Sequence, residues 1–370
     1  MSYSTAYERW AGVGPYYAMF PLSFVNEVVQ TYTEPGQGII DPFAGRASSI
    51  FAGASMGRPS IGMEIHPVGW VYGKTKLGPA GQEEVQKRLL EIVAIAQTLP
   101  QDVGSDLPEF FTFCFSRQSL GFLLAARSSL DWQHDLVDRT LMTLILVDLH
   151  GVRERSFSNQ MRQSRAMSPE YSIRWWKLHN STPPDLDPRE FLEKKILWRY
   201  AKGTPQVTNS DLFLADSRQL LSHIPVQLKI EKPFTLLFTS PPYMGISDYH
   251  RDQWLRLWML GGPPFAARHP DKHRRDFASV ADYTALLQAV FQQSAEVMSS
   301  RKATVYVRTD AREPTFTITR GALKLAFPRW QEKIIERPYP KQTQTALYGD
   351  KSIKVGEKDI ILTIQNDSLR

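Results

Sequence analysis

Two prolines in a row at the end of an apolar strand carry more chemistry than any other feature of this sequence. Phe234-Thr235-Leu236-Leu237-Phe238 reads as a buried strand and runs directly into Thr239-Ser240-Pro241-Pro242-Tyr243. Consecutive prolines remove two backbone donors and fix φ, so the loop is stiff and its carbonyls are left free. Such a loop suits a site that holds an amino group by acceptors only. The Ser240 hydroxyl and a backbone carbonyl near Pro241 would take its two hydrogens. The nitrogen lone pair is then free to meet an electrophile, the methyl of a sulfonium fitting best, and catalysis is by positioning. Tyr243 adds a ring face on which an extruded base can stack.

A second constellation lies near the start. Asp41-Pro42-Phe43-Ala44-Gly45-Arg46 falls between a short strand (38–41) and a helix rich in small residues (46–56). In open α/β sheets a ligand binds at the carboxyl ends of strands, where a tight turn brings backbone amides and a helix N-terminus close to it. Ala44 and Gly45 allow that approach. Some twenty residues on, Glu64 ends the next strand (59–65), placed to accept hydrogen bonds from both hydroxyls of a ribose. Asp216, after the strand 212–215, can accept from an adenine amino group or simply cap the helix that begins at Ser217. Together these residues point to a nucleoside cofactor.

The elements that must position them alternate at both ends of the chain and turn helical in the middle. A helix over 21–32 carries Phe24, Val25, Val28 and Val29 at helical spacing. Helical periodicity also covers 83–99, 116–130, 131–150 and 187–201, and a polar, aromatic stretch fills 156–176. Strands return at 212–215, 234–238, 303–307, 334–337 and 359–364, with a helix over 282–299. This pattern predicts one parallel-rich α/β sheet interrupted by a helical insertion, with 1–77 and 204–370 as the catalytic part and 78–203 as the insertion.

Thr239–Tyr243 resembles the Ser-Pro-Pro-Tyr catalytic motif of the amino-directed DNA methyltransferases, and Asp41–Gly45 resembles their Asp-Pro-Phe-x-Gly cofactor motif. Gly14–Val29 looks like the cofactor-site segment that precedes it in that family. The resemblance implies a Rossmann-like class I methyltransferase sheet and S-adenosylmethionine as cofactor. It implies Ser240, Pro241, Pro242 and Tyr243 as catalytic residues, and Tyr17, Asp41, Pro42, Phe43, Ala44, Gly45, Glu64, Asp216 and Thr239 as cofactor-binding residues. The serine version of the motif is found mainly in cytosine-N4 enzymes, so the implied activity is N4 methylation of a flipped cytosine in double-stranded DNA. Adenine-N6 methylation is the alternative, followed by an RNA N-methyltransferase and a catalytically silent binding subunit. A restriction enzyme or another phage-defence component would be the natural partner of such an enzyme. One departure stands out: Ala47 occupies a position where the family usually has glycine.

The insertion holds a candidate DNA reader. Between Gly151 and Arg165, Arg153, Arg155, Arg162 and Arg165 face only Glu154, with Asn159 and Gln160 among them. Arg, Asn and Gln can make bidentate contacts with base edges, and Arg also binds phosphate. Trp175 and Trp176 are better read as core. Further basic or turn segments at 265–275 and 339–342 could follow phosphates. His250, close behind the catalytic loop, is left without a role.

Composition bounds these readings. Across 370 residues, 44 Lys and Arg against 38 Asp and Glu give a net charge of +6, which fits a nucleic-acid partner without demanding one. The single cysteine, Cys114, rules out an intramolecular disulfide and a cysteine-rich zinc site. Its apolar setting, Phe113-Cys114-Phe115, also argues against the thiolate nucleophile that cytosine-C5 methylation needs. No run of apolar residues reaches bilayer length, and the first ten residues lack a signal-peptide pattern, so the expectation is a cytoplasmic protein without a metal.

Overall fold

The structure is a computed structural model and describes residues 3–15, 20–220, 234–244, 249–266, 279–299, 301–337 and 356–364. Seven strands form one sheet: β1 (Ile39–Asp41), β2 (Ser60–Glu64), β3 (Asp211–Leu214), β4 (Leu236–Thr239), β5 (Thr304–Asp310), β6 (Trp330–Arg337) and β7 (Glu357–Ile364). Their order is β3-β2-β1-β4-β5-β7-β6. The first five run parallel, and β7 inserts antiparallel between β5 and β6. This is the class I methyltransferase sheet. The chain reverses its direction of travel between β1 and β4, so their carboxyl ends flank the crevice where open α/β sheets take ligands.

The central strands are buried throughout, which is why they read as continuous apolar runs rather than alternating ones. Helix α1 (Ala6–Ala11) precedes α2 (Leu22–Tyr32), and α2 buries the four predicted positions Phe24, Val25, Val28 and Val29. Helix α3 (Ser48–Ser55) begins two residues later than the periodicity suggested. Gly45 and Ala47 hold positive φ of 56° and 58°, a left-handed turn that must be completed before helical geometry can start.

Helix α4 (Pro67–Leu77) was not anticipated. It is buried almost all round and carries two glycines, so no amphipathic period marks it. The insertion follows as α5 (Gln82–Thr98), α6 (Glu109–Cys114), α7 (Arg117–Ser129), α8 (Leu136–Val147), α9 (Pro169–Leu178) and α10 (Pro188–Tyr200). The predicted helix 131–150 is shorter because Asp135 caps it, accepting from the Asp138 amide at 2.8 Å. After β4 come α11 (Tyr249–Asp252), α12 (Trp254–Met259), α13 (Val280–Val297) and α14 (Thr315–Ala326). Helix α14 was also missed, since Thr315, Thr317, Ile318 and Thr319 are β-branched and mimic a strand.

The insertion shares one continuous apolar core with α1, α3, α4 and α12, in which Trp10, Tyr72, Trp176 and Trp258 are among the largest fully buried side chains. Trp176 is core, as expected, and Trp175 is half-buried and stacks on His179. Cys114 is fully buried, and burial pushes its thiol well above the ordinary range. No helix among the described residues is long and apolar enough to cross a membrane.

Candidate active site

The two motifs meet at the carboxyl ends of the neighbouring strands β1 and β4. Asp41 is the clasp: its Oδ1 accepts from Thr239 Oγ1 at 2.6 Å and from the Phe43 amide at 3.0 Å, while Oδ2 accepts from the Ser49 hydroxyl of α3. One carboxylate thus ties β1, β4, the cofactor loop and α3 together. Burial pushes it up to about 6 despite those three donors. Thr239 is fully buried and faces this clasp. Pro42 takes the Ser217 hydroxyl on its carbonyl, and Ala44 bonds back to Met63 of β2 at 2.9 Å.

Glu64 stands at the end of β2, under the first turn of α4. Its Oε1 accepts from the His66 amide at 2.6 Å, and Gly69 of α4 leaves it room: a Cβ there would lie 3.1 Å from Glu64 Cγ and 2.9 Å from the Gly45 carbonyl oxygen. Burial, with Asp41 adding to it, pushes Glu64 up to about 8, although amides of His66, Gly45 and Ile65 pull the other way. A buried carboxyl at a strand end, held above its ordinary range although three amides donate to it, fits a group bearing a pair of hydroxyls, as the ribose of a nucleoside cofactor does. The Asp41–Gly45 turn and Glu64 therefore suit S-adenosylmethionine.

Ala47 sits where the backbone favours glycine, at a φ of 58°, and its methyl is fully buried. Room for that methyl comes from Gly73 of α4, whose own Cβ would fall 2.8 Å from Ala47 Cβ. Arg46, which no motif singled out, donates through one nitrogen to the carbonyls of Ala11, Val13 and Gly14 at 2.9–3.1 Å. It pins the N-terminal segment to the cofactor loop. Tyr17 lies outside the described residues.

Asp216 does what its capping alternative required. It accepts from the Arg218 amide at 2.9 Å and pairs with the Arg218 guanidinium at 2.5 Å.

On the catalytic side, Ser240 donates to Tyr243 Oη at 3.5 Å, and Tyr243 donates to Glu357 Oε1 at 3.1 Å. The Pro242 carbonyl is already engaged by Tyr283 of α13 at 2.8 Å, which fixes the loop from outside. Beneath it, Phe238 stacks on Phe20 with centroids 5.1 Å apart, and Arg308 of β5 sits 3.7 Å from the Phe24 ring centroid. Tyr283, Arg308 and Glu357 had no local signal in the sequence. His250 meets His66 edge to face, centroids 4.8 Å apart.

The proposed reading cluster is dispersed. Asn159 is fully buried: its amide nitrogen donates to the carbonyls of Phe113 and Ser181, and its oxygen accepts from the Gln160 amide at 2.8 Å. This corrects its assignment as a base-reading residue, since no edge of it reaches the surface. Arg153 is drawn onto the Thr182 carbonyl at 2.6 Å. Gln160 gives its side-chain oxygen to the Arg153 amide at 3.2 Å. Arg155 and Arg162 are exposed and Arg165 half-buried. The segments 267–275 and 339–342 lie outside the described residues, as does most of the basic loop. Among the described residues no group of three or more His, Cys, Asp or Glu could hold a metal ion.

Comparison with known proteins gives distant matches. No protein-family model matches the chain. A type II methyltransferase, M.MjaII, from Methanocaldococcus jannaschii is 27% identical over 95 residues, 26% of this chain. The matched region spans only 18% of that relative's length. Among solved structures, an rRNA methylase from Streptococcus thermophilus aligns over 94% of this chain and 98% of its own with a TM-score of 0.35 and 6% identity. An rRNA methyltransferase from Streptomyces viridochromogenes aligns over 96% and 89%, with a TM-score of 0.31 and 11% identity. Superpositions this loose carry no argument about substrate, and the fold rests on the chain's own strand order.

Proposed function

We propose that the protein is an S-adenosylmethionine-dependent DNA methyltransferase that methylates the N4 amino group of a flipped cytosine. The observation that carries the reading is the clasp between Asp41 and Thr239, 2.6 Å long, which joins the cofactor turn to the Ser240–Tyr243 loop. Glu64 and the turn at Asp41–Gly45 would hold the nucleoside and amino-acid parts of the cofactor, which supplies the electrophilic methyl. Ser240 and the Pro241 carbonyl would accept the two amino hydrogens, and Tyr243 would stack on the base. The helical insertion over 78–203 is the candidate target-recognition region, with Arg155 and Arg162 as the exposed cations of its 151–165 stretch. A restriction enzyme or another phage-defence component would be the cellular partner.

The test is nucleoside mass spectrometry on unmethylated double-stranded DNA incubated with the protein and S-adenosylmethionine, beside the Ser240→Ala variant. N4-methylcytosine that disappears in the variant is the expected result. N6-methyladenine would correct the base, and modified nucleosides in RNA but none in DNA would overturn the DNA assignment.

A further inference from the structure

The catalytic loop ends on a carboxylate that neither motif contains. Glu357 opens β7, which pairs antiparallel with β5 and brings Glu357 opposite Asp310, while β6 brings Arg337 opposite its other side. Its Oε1 receives the Tyr243 hydroxyl at 3.1 Å, and its Oε2 lies 3.5 Å from Arg308 Nε. Asp310 is itself paired with Arg312 at 2.6 Å, and Arg337 with Asp359 at 2.9 Å. Burial and the facing Glu357 push the Tyr243 phenol up, so Tyr243 stays a donor to that carboxylate.

The direction of this chain of hydrogen bonds matters for Ser240. A serine hydroxyl has one hydrogen and two lone pairs, and it can meet a partner as donor or as acceptor. The target amino group brings two hydrogens and must keep its nitrogen lone pair for the methyl. A Ser240 hydrogen turned towards that nitrogen would compete for the lone pair. With the Tyr243 hydrogen committed to Glu357, the Ser240 hydrogen is the one available for the 3.5 Å contact between the two hydroxyls. Only lone pairs of Ser240 then remain for the substrate.

We infer that Glu357 is a positioning residue which, through Tyr243, makes Ser240 an acceptor and takes up the proton released by N-methylation. The inference rests on the function proposed above. As the nitrogen–carbon bond forms and the sulfur–carbon bond breaks, the amino nitrogen is left with two protons and a positive charge. One of them passes to Ser240 Oγ while the Ser240 hydrogen moves to Tyr243 Oη and the Tyr243 hydrogen to Glu357. The nitrogen becomes a neutral secondary amine and Glu357 a neutral acid. With 37% of its side chain exposed, Glu357 can return the proton to solvent.

Four variants of the full chain test this: Tyr243→Phe, Glu357→Ala, the two combined, and Glu357→Asp. Single-turnover transfer from labelled S-adenosylmethionine to PCR-made double-stranded DNA of mixed sequence is measured beside DNA affinity and thermal unfolding. Tyr243→Phe and Glu357→Ala should each slow transfer by about tenfold or more while DNA affinity is kept, the range general acid–base groups cover. The double variant should be no slower than either single one, and Glu357→Asp should recover part of the rate. Full rate in either single variant, a loss seen only in DNA affinity, or losses that multiply in the double variant would overturn the inference. A parent chain that methylates no DNA sinks the proposed function instead. The relay is then judged from unfolding: sub-additive melting shifts in the double variant support the Tyr243–Glu357 bond, and strictly additive shifts overturn it.

Discussion

Replacing Glu64 by glutamine should stabilise the cofactor-free protein and weaken cofactor binding, and the two effects should separate with pH. Glu64 is pushed from its ordinary 4.5 up to about 8 in the fold. A folded-state value above the unfolded one means that the folded chain binds the extra proton between those limits. Stability from this group is therefore fully present below pH 4.5 and is lost as pH rises to about 8. At about 1.4 kcal/mol per pH unit, the parent at pH 7 has given up on the order of 3 kcal/mol, and about 5 kcal/mol above pH 8. Glutamine keeps the shape, can accept the His66 amide through its oxygen and has no proton to lose. Urea unfolding of parent and Glu64→Gln at intervals from pH 5 to pH 9 should show the variant gaining steadily over that range. The cofactor reverses the sign. Ribose hydroxyls would donate to the ionised carboxylate, so binding would release a proton below pH 8, and affinity should rise by up to roughly tenfold per pH unit from pH 6. That slope should vanish in Glu64→Gln along with most of the affinity. A stability difference that stays flat with pH would refute the buried-acid reasoning, and a pH-independent affinity in the parent would refute the ribose contact.

Lys76 of α4 is fully buried, its amine has no hydrogen-bond partner among the described residues, and Arg46 and Arg199 add to the burial that pulls it well below the ordinary lysine range. An amine held below its unfolded value binds fewer protons in the fold than in the unfolded chain, so stability from this site rises with pH up to about 10. Lys76→Met should be more stable than the parent by about 1–3 kcal/mol at pH 7, with the gap widest in acid, as read by thermal unfolding across pH. An unchanged or lower melting point at every pH would count against a neutral buried amine. Ala47→Gly should leave stability nearly unchanged. Relief of a left-handed alanine gives back about 1–2 kcal/mol, and the lost methyl with the looser unfolded chain removes a similar amount. Ala47→Val, β-branched in that conformation and pressed towards Gly73, should cost more than about 2 kcal/mol in urea unfolding. Equal behaviour of the two variants would contradict the backbone described.

What could be read from the sequence was where two loops lie, at the ends of strands that prove to be neighbours. Ser240–Tyr243 and Asp41–Gly45 each put strand, turn and reactive groups into one short stretch, and the apolar run before each marked it as a strand end. Helix α4 escaped because a helix buried on all sides has no stripe to reveal it. Asn159 was misread for a different reason. The amide that reads a base edge also satisfies stray carbonyls, and only burial tells which partner it has. The Ala47 departure was visible as a residue type, but its tolerance depends on Gly73, a residue of another helix.

Glu357 illustrates what local pattern cannot supply. It lies 114 residues after Tyr243, and nothing near it in the chain suggests chemistry. Its position follows from the antiparallel register of β7, in which residues two apart share a face of the sheet. Asp359, on the same face, is fully buried and absorbs the cations there: Arg308 at 2.7 Å and Arg337 at 2.9 Å, with Tyr306 donating at 2.6 Å. Those partners hold Asp359 below the usual carboxylate range against the cost of burial. With both arginines bound chiefly to Asp359, Glu357 keeps an oxygen for Tyr243 at the mouth of the crevice. The division of labour between the two acids is set by depth: the inner one neutralises the strand's arginines, and the outer one, in contact with solvent, keeps its hydrogen bond to Tyr243, where the proposed relay would end.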